Sequence, residues 1–408
     1  MTGLPAIALE GARAVGKTRT ARERAGTVLD LEDPRVRDVV AADVGGALRS
    51  PPPVVIDEWQ HIPPVWDRVR RAVDDGAPAG AFLLTGSTEP PVPPAHSGAG
   101  RIVSVRMRPL TLHERLPDGD RVRLSDLASG ARAPLEGTTP VTLPDYVAEM
   151  TRSGFPGIRD LPPRAVRTQL ASYVTHIIDR DFPEFGYNVR RPDTLRRWMA
   201  AYAAATSTAT SFETIRDAAT AGSSEKPAKT TVLAYRDILE RLYVLDPVPA
   251  WVPTRNRIAQ LSHPPKHHLV DVALVVSLLG LSARDLTGGH EPTVAPPRDG
   301  AFVGALFESL VTQSLRVYAQ QIEAGVGHMR TKGGRQEVDL ILECLGGGVI
   351  AVEVKLNPVV DDGAVRHLHA LADRMGDELL DAVVVTTGTW AYRRPDGVAV
   401  IPAAMLAP

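Results

Sequence analysis

The chain has 408 residues, 44% hydrophobic and 23% charged, with a formal net charge of −2. Those values suit a soluble globular chain of about two to three domains, and the near-neutral balance gives no overall basic field for nucleic acid. A single cysteine, Cys344, excludes an internal disulfide and a cysteine-rich zinc site and fits the reducing cytoplasm.

No run approaches the roughly 18 apolar residues that a membrane span needs, and the start, MTGLPAIALEGARAVGKT, enters a motif directly instead of forming a signal peptide. Only six lysines occur, at 17, 226, 229, 266, 332 and 355. Where arginine otherwise supplies positive charge, a lysine marks a place that needs that particular side chain.

Residues 1–110 alternate short apolar strands with helical stretches, the pattern of a parallel α/β sheet. The predicted strands are Ala6–Glu10, Thr27–Leu31, Val54–Asp57, Ala81–Thr85 and Ile102–Val105. Between the first strand and the first helix lies Gly11-Ala12-Arg13-Ala14-Val15-Gly16-Lys17-Thr18, which fits G-x-x-x-x-G-K-[ST] at every fixed position and in the right context. The glycines let backbone N–H groups wrap a β-phosphate at a helix N-terminus. Lys17 is expected to reach the β- and γ-phosphates, and Thr18 to bind Mg²⁺. The next apolar strand ends in Asp57-Glu58: Asp57 is placed near the Mg²⁺, and Glu58 is the candidate to orient the attacking water. The stretch Phe82–Ser87 ends the strand Ala81–Thr85, and its polar tip residues Thr85 and Ser87 are candidate γ-phosphate sensors. Arg101 is a candidate arginine finger. These residues point to ATP with Mg²⁺ as the ligand and to an additional-strand P-loop ATPase domain.

Residues 111–295 read as mostly helical, with helical apolar spacing over Leu195–Ala205, Phe212–Ala219 and Thr231–Leu245. The last two suggest a helix–turn–helix of winged-helix character, with Lys229, Arg236 and Arg241 on its second helix as candidate DNA contacts. That helix also carries Leu233, Ile238, Leu239 and Leu242, so packing competes with nucleic-acid contact. His263, His267 and His268 gather around Lys266; without cysteines and with irregular spacing they read as a polar loop.

From 296 to 408 the predicted order is helix, strand, strand, helix, strand, with strands at Glu337–Glu343, Val349–Lys355 and Ala382–Thr386. Glu353 and Lys355 share one face of a strand while Val352 and Val354 take the other. A turn at Gly346–Gly348 brings Asp339 alongside, and Glu308 lies on the preceding helix. Three acids and a lysine form a hard-cation site: Asp339, Glu353 and the Val354 carbonyl are the predicted Mg²⁺ or Mn²⁺ ligands, Lys355 would position or deprotonate the attacking water, and Glu308 would complete the shell or bind a second ion. This is apparatus for metal-assisted phosphodiester hydrolysis. An arginine such as Arg330 or Arg335 filling the pocket would exclude that chemistry.

Several stretches together resemble a known family: Glu10–Thr18, Val54–Gln60, Leu83–Ser87, Gly100–Arg101, Met107–Glu114, Gly154–Gly157, Asp179–Asp181, Pro265–Asp271, Gly304–Val311 and Glu337–Lys355. The chain is similar over nearly its whole length to bacterial and archaeal AAA+-type ATPases that carry a C-terminal domain of unknown function numbered 4143, of the PD-(D/E)xK nuclease-like superfamily. The resemblance implies an additional-strand P-loop domain, a winged-helix-like middle and a restriction-endonuclease-like α/β end. Two functions follow as expectations. One is an ATPase coupled to a metal-dependent nuclease or nucleic-acid-binding end, with DNA or RNA and a homo-oligomer as partners. The other is a nucleotide-switched regulatory protein whose nuclease-like domain does not cleave.

Overall fold

A computed structural model describes residues 3–86, 96–221, 226–253, 263–287, 300–331 and 335–408. Ser87 lies outside the described residues.

The first layer is a parallel sheet of β1 (Ala6–Glu10), β2 (Thr27–Asp30), β3 (Val54–Asp57), β4 (Phe82–Gly86) and β5 (Ile102–Arg106). All four residues of β3 and all five of β4 are buried, as expected of strands covered by helices on both faces. The spatial order is β2-β3-β4-β1-β5. Strand β4 therefore stands between the strand that ends in the glycine loop and the strand that ends in Asp57. The loop, the acids and the tip of β4 all emerge at the carboxyl edge of the sheet, where open α/β sheets bind ligands. The helix Pro64–Asp74 buries Val65, Trp66 and Val69 against this sheet, and Trp66 packs on Trp59 with ring centroids 4.6 Å apart.

The middle region is helical as read. Helices Pro192–Ala204, Phe212–Ala219 and Lys229–Arg241 are followed by a short antiparallel ribbon, with bridges Leu245–Leu269 and Val248–Lys266. The ribbon continues onto the C-terminal domain through a parallel bridge from Ala250 to His328. The segment around 263–268 is no polar loop: Lys266, His267 and His268 are all buried. Each histidine is absorbed by a neutral partner, His267 Nε2 by the Thr210 carbonyl at 2.7 Å and His268 Nδ1 by the Ser309 hydroxyl at 3.0 Å. Burial holds both imidazoles below their ordinary pKa.

The strand β6 (Val122–Arg123) pairs with β13 (Leu406–Ala407), so the far end of the chain returns to the segment that follows the first sheet. The C-terminal sheet contains β7 (Gly325–Arg330), β8 (Glu337–Glu343), β9 (Val349–Lys355), β10 (Leu379–Thr386), β11 (Tyr392–Arg393) and β12 (Ala399–Pro402). Its order is β11-β12-β10-β9-β8-β7. β7, β8 and β9 are antiparallel neighbours, while β10 runs parallel to β9. The order along the chain is thus helix, three strands, helix and then β10, β11 and β12, so that β7, β11 and β12 are strands beyond those the periodicity predicts. The helix Gly300–Gln321 buries Leu306, Phe307, Leu310 and Leu315, and the helix Asp362–Met375 buries Val365, Leu368 and Leu371. The two helices feed separate clusters, with Leu340, Leu342 and Val352 in one and Ile341, Ala351 and Val384 in the other. Because β8 and β9 are antiparallel, the start of β8 and the end of β9 meet at one end of the sheet.

Three parts of the chain are tied together at Asp246. Its carboxylate meets Arg106 at 3.2 Å and Arg108 at 2.7 Å from the end of β5, and Arg316 at 2.8 Å from the helix Gly300–Gln321.

Candidate nucleotide site

The loop Gly11–Thr18 is built on backbone conformations that its sequence permits. Gly11 has φ 151° and Gly16 φ 101°; a Cβ on Gly11 would lie 2.2 Å from the Met107 carbonyl oxygen, so only glycine fits. Ala14 (φ 69°) and Glu58 (φ 54°) also adopt left-handed conformations, which cost energy in non-glycine residues and concentrate at functional sites. The helix Lys17–Arg22 starts directly from Gly16.

Lys17 is buried, and its ammonium donates to the Gly11 and Ala12 carbonyls at 2.8 and 2.9 Å. Burial pulls its pKa down to about 8, with the Glu58 charge opposing and Arg13 assisting. A phosphate needs the charged form. Nucleotide affinity is therefore expected to hold below about pH 8 and to fall above it, by about tenfold near pH 9 for a group with that pKa. Titration calorimetry from pH 6.5 to 9 checks this, and a flat profile would remove Lys17 as the phosphate partner.

Thr18 donates its hydroxyl to Asp57 Oδ1 at 2.8 Å, the Thr85 hydroxyl donates to the same oxygen, and Arg22 meets Asp57 Oδ2 at 3.3 Å. Thr18, Asp57 and Thr85, each singled out in the sequence, meet here. A hydroxyl and a carboxylate side by side below the glycine loop form a hard-oxygen donor set that fits Mg²⁺. Glu58 follows β3 and lines the cleft with Gln60, whose amide donates to the Glu58 carboxylate. The Glu58 backbone N–H donates to Thr85 Oγ1 at 3.2 Å.

Arg101 must be corrected as a finger acting within its own chain. β5 runs parallel to β1, with Ala6 opposite Ile102 and Glu10 opposite Arg106. Arg101 therefore sits at the amino edge of the sheet, about 15 Å from the loop at the strand rise of roughly 3.3 Å per residue. Its Nε pairs with Asp74 at 2.8 Å. The cleft draws its guanidinium groups from Arg13, Arg19, Arg22 and Arg241 instead.

Arg241 is the residue that sequence reading assigned elsewhere. It lies over the Phe185 ring, 4.6 Å from the centroid, and lines the nucleotide cleft. The other basic residues of its helix are also engaged: Lys229 pairs with Glu213 at 2.9 Å, and Arg236 pairs with Glu240 at 3.4 Å and lies over Phe212. The middle region closes the cleft further through Arg13, which meets Asp181 at 3.0 Å and Glu184 at 3.1 Å. The Tyr173 hydroxyl donates to the Arg13 carbonyl at 3.3 Å. Asp179-Arg180-Asp181, one of the stretches without a role in the sequence, thus contributes a carboxylate to the glycine loop's own arginine.

The C-terminal carboxylates converge, but around a cation that the sequence did not place there. Lys266 Nζ lies 2.8 Å from Glu308 Oε1, 3.1 Å from Asp339 Oδ1 and 3.5 Å from Glu337 Oε1. Lys355 Nζ lies 2.8 Å from Glu353 Oε2 and 4.0 Å from Asp339 Oδ2, and the Val354 N–H donates to Asp339 Oδ2 at 3.0 Å. Burial pushes Asp339 up, but Lys266 and Lys355 overcome this and hold it below the ordinary carboxylate range. Burial, then the Asp339 charge, raises Glu353, and burial raises Glu308 to about 8. Asp339 is therefore held in its ionised form between two ammonium groups, while Glu353 and Glu308 are both shifted toward their protonated forms. Among the described residues no group of three or more His, Cys, Asp or Glu is arranged to hold a metal ion. The expected Mg²⁺ or Mn²⁺ shell of Asp339, Glu353 and Glu308 does not fit this arrangement, because Lys266 stands between Glu308 and Asp339. Arg330 and Arg335 are not what fills it; Arg330 meets Glu337 Oε2 at 3.6 Å and stays half-exposed.

Comparison with known proteins agrees with the first sheet and its loop. Residues 4–116 match the family described as an AAA domain. Residues 143–285 match a domain of unknown function (DUF8612), and residues 303–406 a domain of unknown function (DUF4143). No curated protein matches the chain. Among solved structures, the Walker-type ATPase PABY2304 of Pyrococcus abyssi is similar at 16% identity with a TM-score of 0.38, over 68% of this chain and 91% of that one. The AAA-domain match makes the N-terminal region P-loop ATPase-like, and the C-terminal region carries the DUF4143 match. Among the described residues no helix is long and apolar enough to cross a membrane.

Proposed function

We propose that this chain binds and hydrolyses ATP with Mg²⁺ at Gly11–Thr18 and acts as a nucleotide-dependent switch on its C-terminal domain. The observation that carries the reading is the meeting of Thr18, Asp57 and Thr85 at the carboxyl edge of β1, β3 and β4, beside Lys17 and Glu58. Thr18 and Asp57 would hold Mg²⁺, which when bound neutralises phosphate charge. Lys17 binds the β- and γ-phosphates, and Glu58 accepts the proton of the attacking water. Arg13 and Arg241 bring the middle region into the same cleft, so a phosphate that draws Arg13 from Asp181 and Glu184 changes how the two regions are joined. Lys17→Ala removes the phosphate-facing charge and leaves the loop backbone intact. ATP affinity is expected to fall at least about tenfold, roughly 1.4 kcal/mol; unchanged affinity by calorimetry would sink this assignment.

For the C-terminal domain, the helix–three-strand–helix–strand order supports a PD-(D/E)xK nuclease-like fold. Lys266 between Glu308 and Asp339 favours the regulatory reading over metal-dependent cleavage of DNA or RNA. The wild-type chain is expected to show no Mn²⁺-dependent cleavage of either nucleic acid, with or without ATP. Cleavage that Glu353→Ala abolishes would reverse that reading. A homo-oligomer remains the one route by which Arg101 acts, from a neighbouring copy. Arg101→Ala is expected to leave hydrolysis by dilute protein unchanged. A tenfold loss, together with ATP-promoted association in light scattering, would restore the finger. Cys344, the lone thiol, is in keeping with a cytoplasmic protein.

A further inference from the structure

The acidic end of the C-terminal sheet is neutralised by a lysine delivered from outside its own domain. Lys266 lies on the returning strand of the middle-region ribbon, bridged to Val248. The ribbon docks beside β7, where the Trp251 N–H donates to the His328 carbonyl at 2.6 Å and the His328 N–H to the Pro249 carbonyl at 3.0 Å. This docking carries the Lys266 side chain, 1% exposed, into the space between the helix Gly300–Gln321 and the start of β8. Its ammonium takes oxygens of Glu308, Asp339 and Glu337 within 3.5 Å.

A hard divalent cation would sit about 2.0–2.6 Å from the same oxygens. Two positive centres that close repel by several kcal/mol even at a surface-like dielectric, so ammonium and metal exclude one another. A second observation shows that the pocket is not fully satisfied. Glu353 is 3% exposed, and its Oε1 has no hydrogen-bond donor opposite it, because Lys355 takes only Oε2.

We infer that Lys266 is a built-in stopper: the middle-region ribbon inserts its ammonium among Glu308, Glu337 and Asp339 and thereby denies the Asp339–Glu353 pocket to divalent cations. The ribbon is the element whose withdrawal opens that pocket to one hard cation. This rests on reading Asp339 and Glu353 as a cation pocket, and the test separates the two ideas.

Mn²⁺ binding is counted by the loss of free-ion signal in electron paramagnetic resonance, on the full chain without nucleotide, for wild type, D339N, K266M and K266M/D339N. Wild type is expected to bind no ion that D339N removes. K266M is expected to gain one site at least tenfold tighter than any in wild type, and K266M/D339N to lose it. A wild-type ion removed by D339N would show a cation pocket with no stopper. A folded K266M that gains nothing would show that there is no cation pocket, and so no stopper either. Where K266M does not fold, K266Q/E308Q removes one buried ionisable group of each type, and the same gain is expected; no gain there overturns the inference as well.

Discussion

Asp246→Ala is expected to destabilise the chain by about 3–5 kcal/mol, the cost of breaking a buried ion cluster by removing one partner. Asp246 is 4% exposed and Arg108 9%, so water does not replace what is lost. Besides the three carboxylate contacts, Arg316 donates to the Asp246 and Pro247 carbonyls at 2.8 and 3.1 Å. Removal of the carboxylate would leave three guanidinium groups facing one another without the carboxylate they share. Burial alone would raise the Asp246 pKa, but Arg316, Arg108 and Arg106 hold it far below the ordinary range. A depressed carboxylate contributes its stability above its unfolded pKa of about 3.9 and loses it only as pH falls through the folded value. The contribution is therefore expected to be constant from pH 5 to 8. Urea unfolding at constant slope measures the change. A midpoint shift worth under about 1 kcal/mol would mean that the three parts of the chain are not held at this point.

Glu58→Gln is expected to slow ATP hydrolysis by about two orders of magnitude or more while leaving ATP binding intact, in line with the loss of a general base. The left-handed turn at Glu58 aims the residue out of β3 and into the cleft, and Gln60 fixes one oxygen of its carboxylate. Glutamine keeps the size of the side chain and one hydrogen-bonding oxygen but cannot take a proton. Phosphate release and equilibrium ATP affinity, measured on the same preparations, separate the outcomes. Equal loss of both would make Glu58 a binding residue. If wild type shows no turnover under any condition, including added nucleic acid, the site works as a switch on occupancy alone.

The two expectations connect the site to the rest of the chain. Arg106 and Arg108 follow from the strand beside the glycine-loop strand, and Met107 between them is the residue whose carbonyl crowds Gly11. The arginines of the Asp246 cluster therefore lie one residue from the backbone that shapes the phosphate loop, and Asp246 itself sits in the ribbon that carries Lys266, between the bridges at Leu245 and Val248. The loop and that ribbon are thus joined through this one cluster.

Much of the first domain was legible because its signals are local. Gly11–Thr18 needs glycine at two positions for backbone reasons and lysine and threonine at two for phosphate and metal, all within eight consecutive residues. The strand Val54–Asp57 reads itself from four buried positions that end in an acid. Glu353 and Lys355 were likewise legible, since residues two apart on a strand share a face. The places where reading failed are all contacts between distant segments. Arg101 looked like a finger beside an apolar strand, and only the parallel register of β1 and β5 put it at the wrong edge. Arg241 reads as one more basic residue on an amphipathic helix until packing turns it onto Phe185 and the cleft. Lys266 lies 42 residues from Glu308 and 73 from Asp339, with histidines and prolines around it that suggest a loop. Its rarity marked it as a lysine with a task, but a charge buried at such separation acquires its partners only when the ribbon docks on the C-terminal sheet. Short-range stereochemistry is written in consecutive residues and by itself determined the backbone and helix start of the Gly11–Thr18 loop; the pairing of buried charges depends on which surfaces meet, and only the tertiary structure decided that.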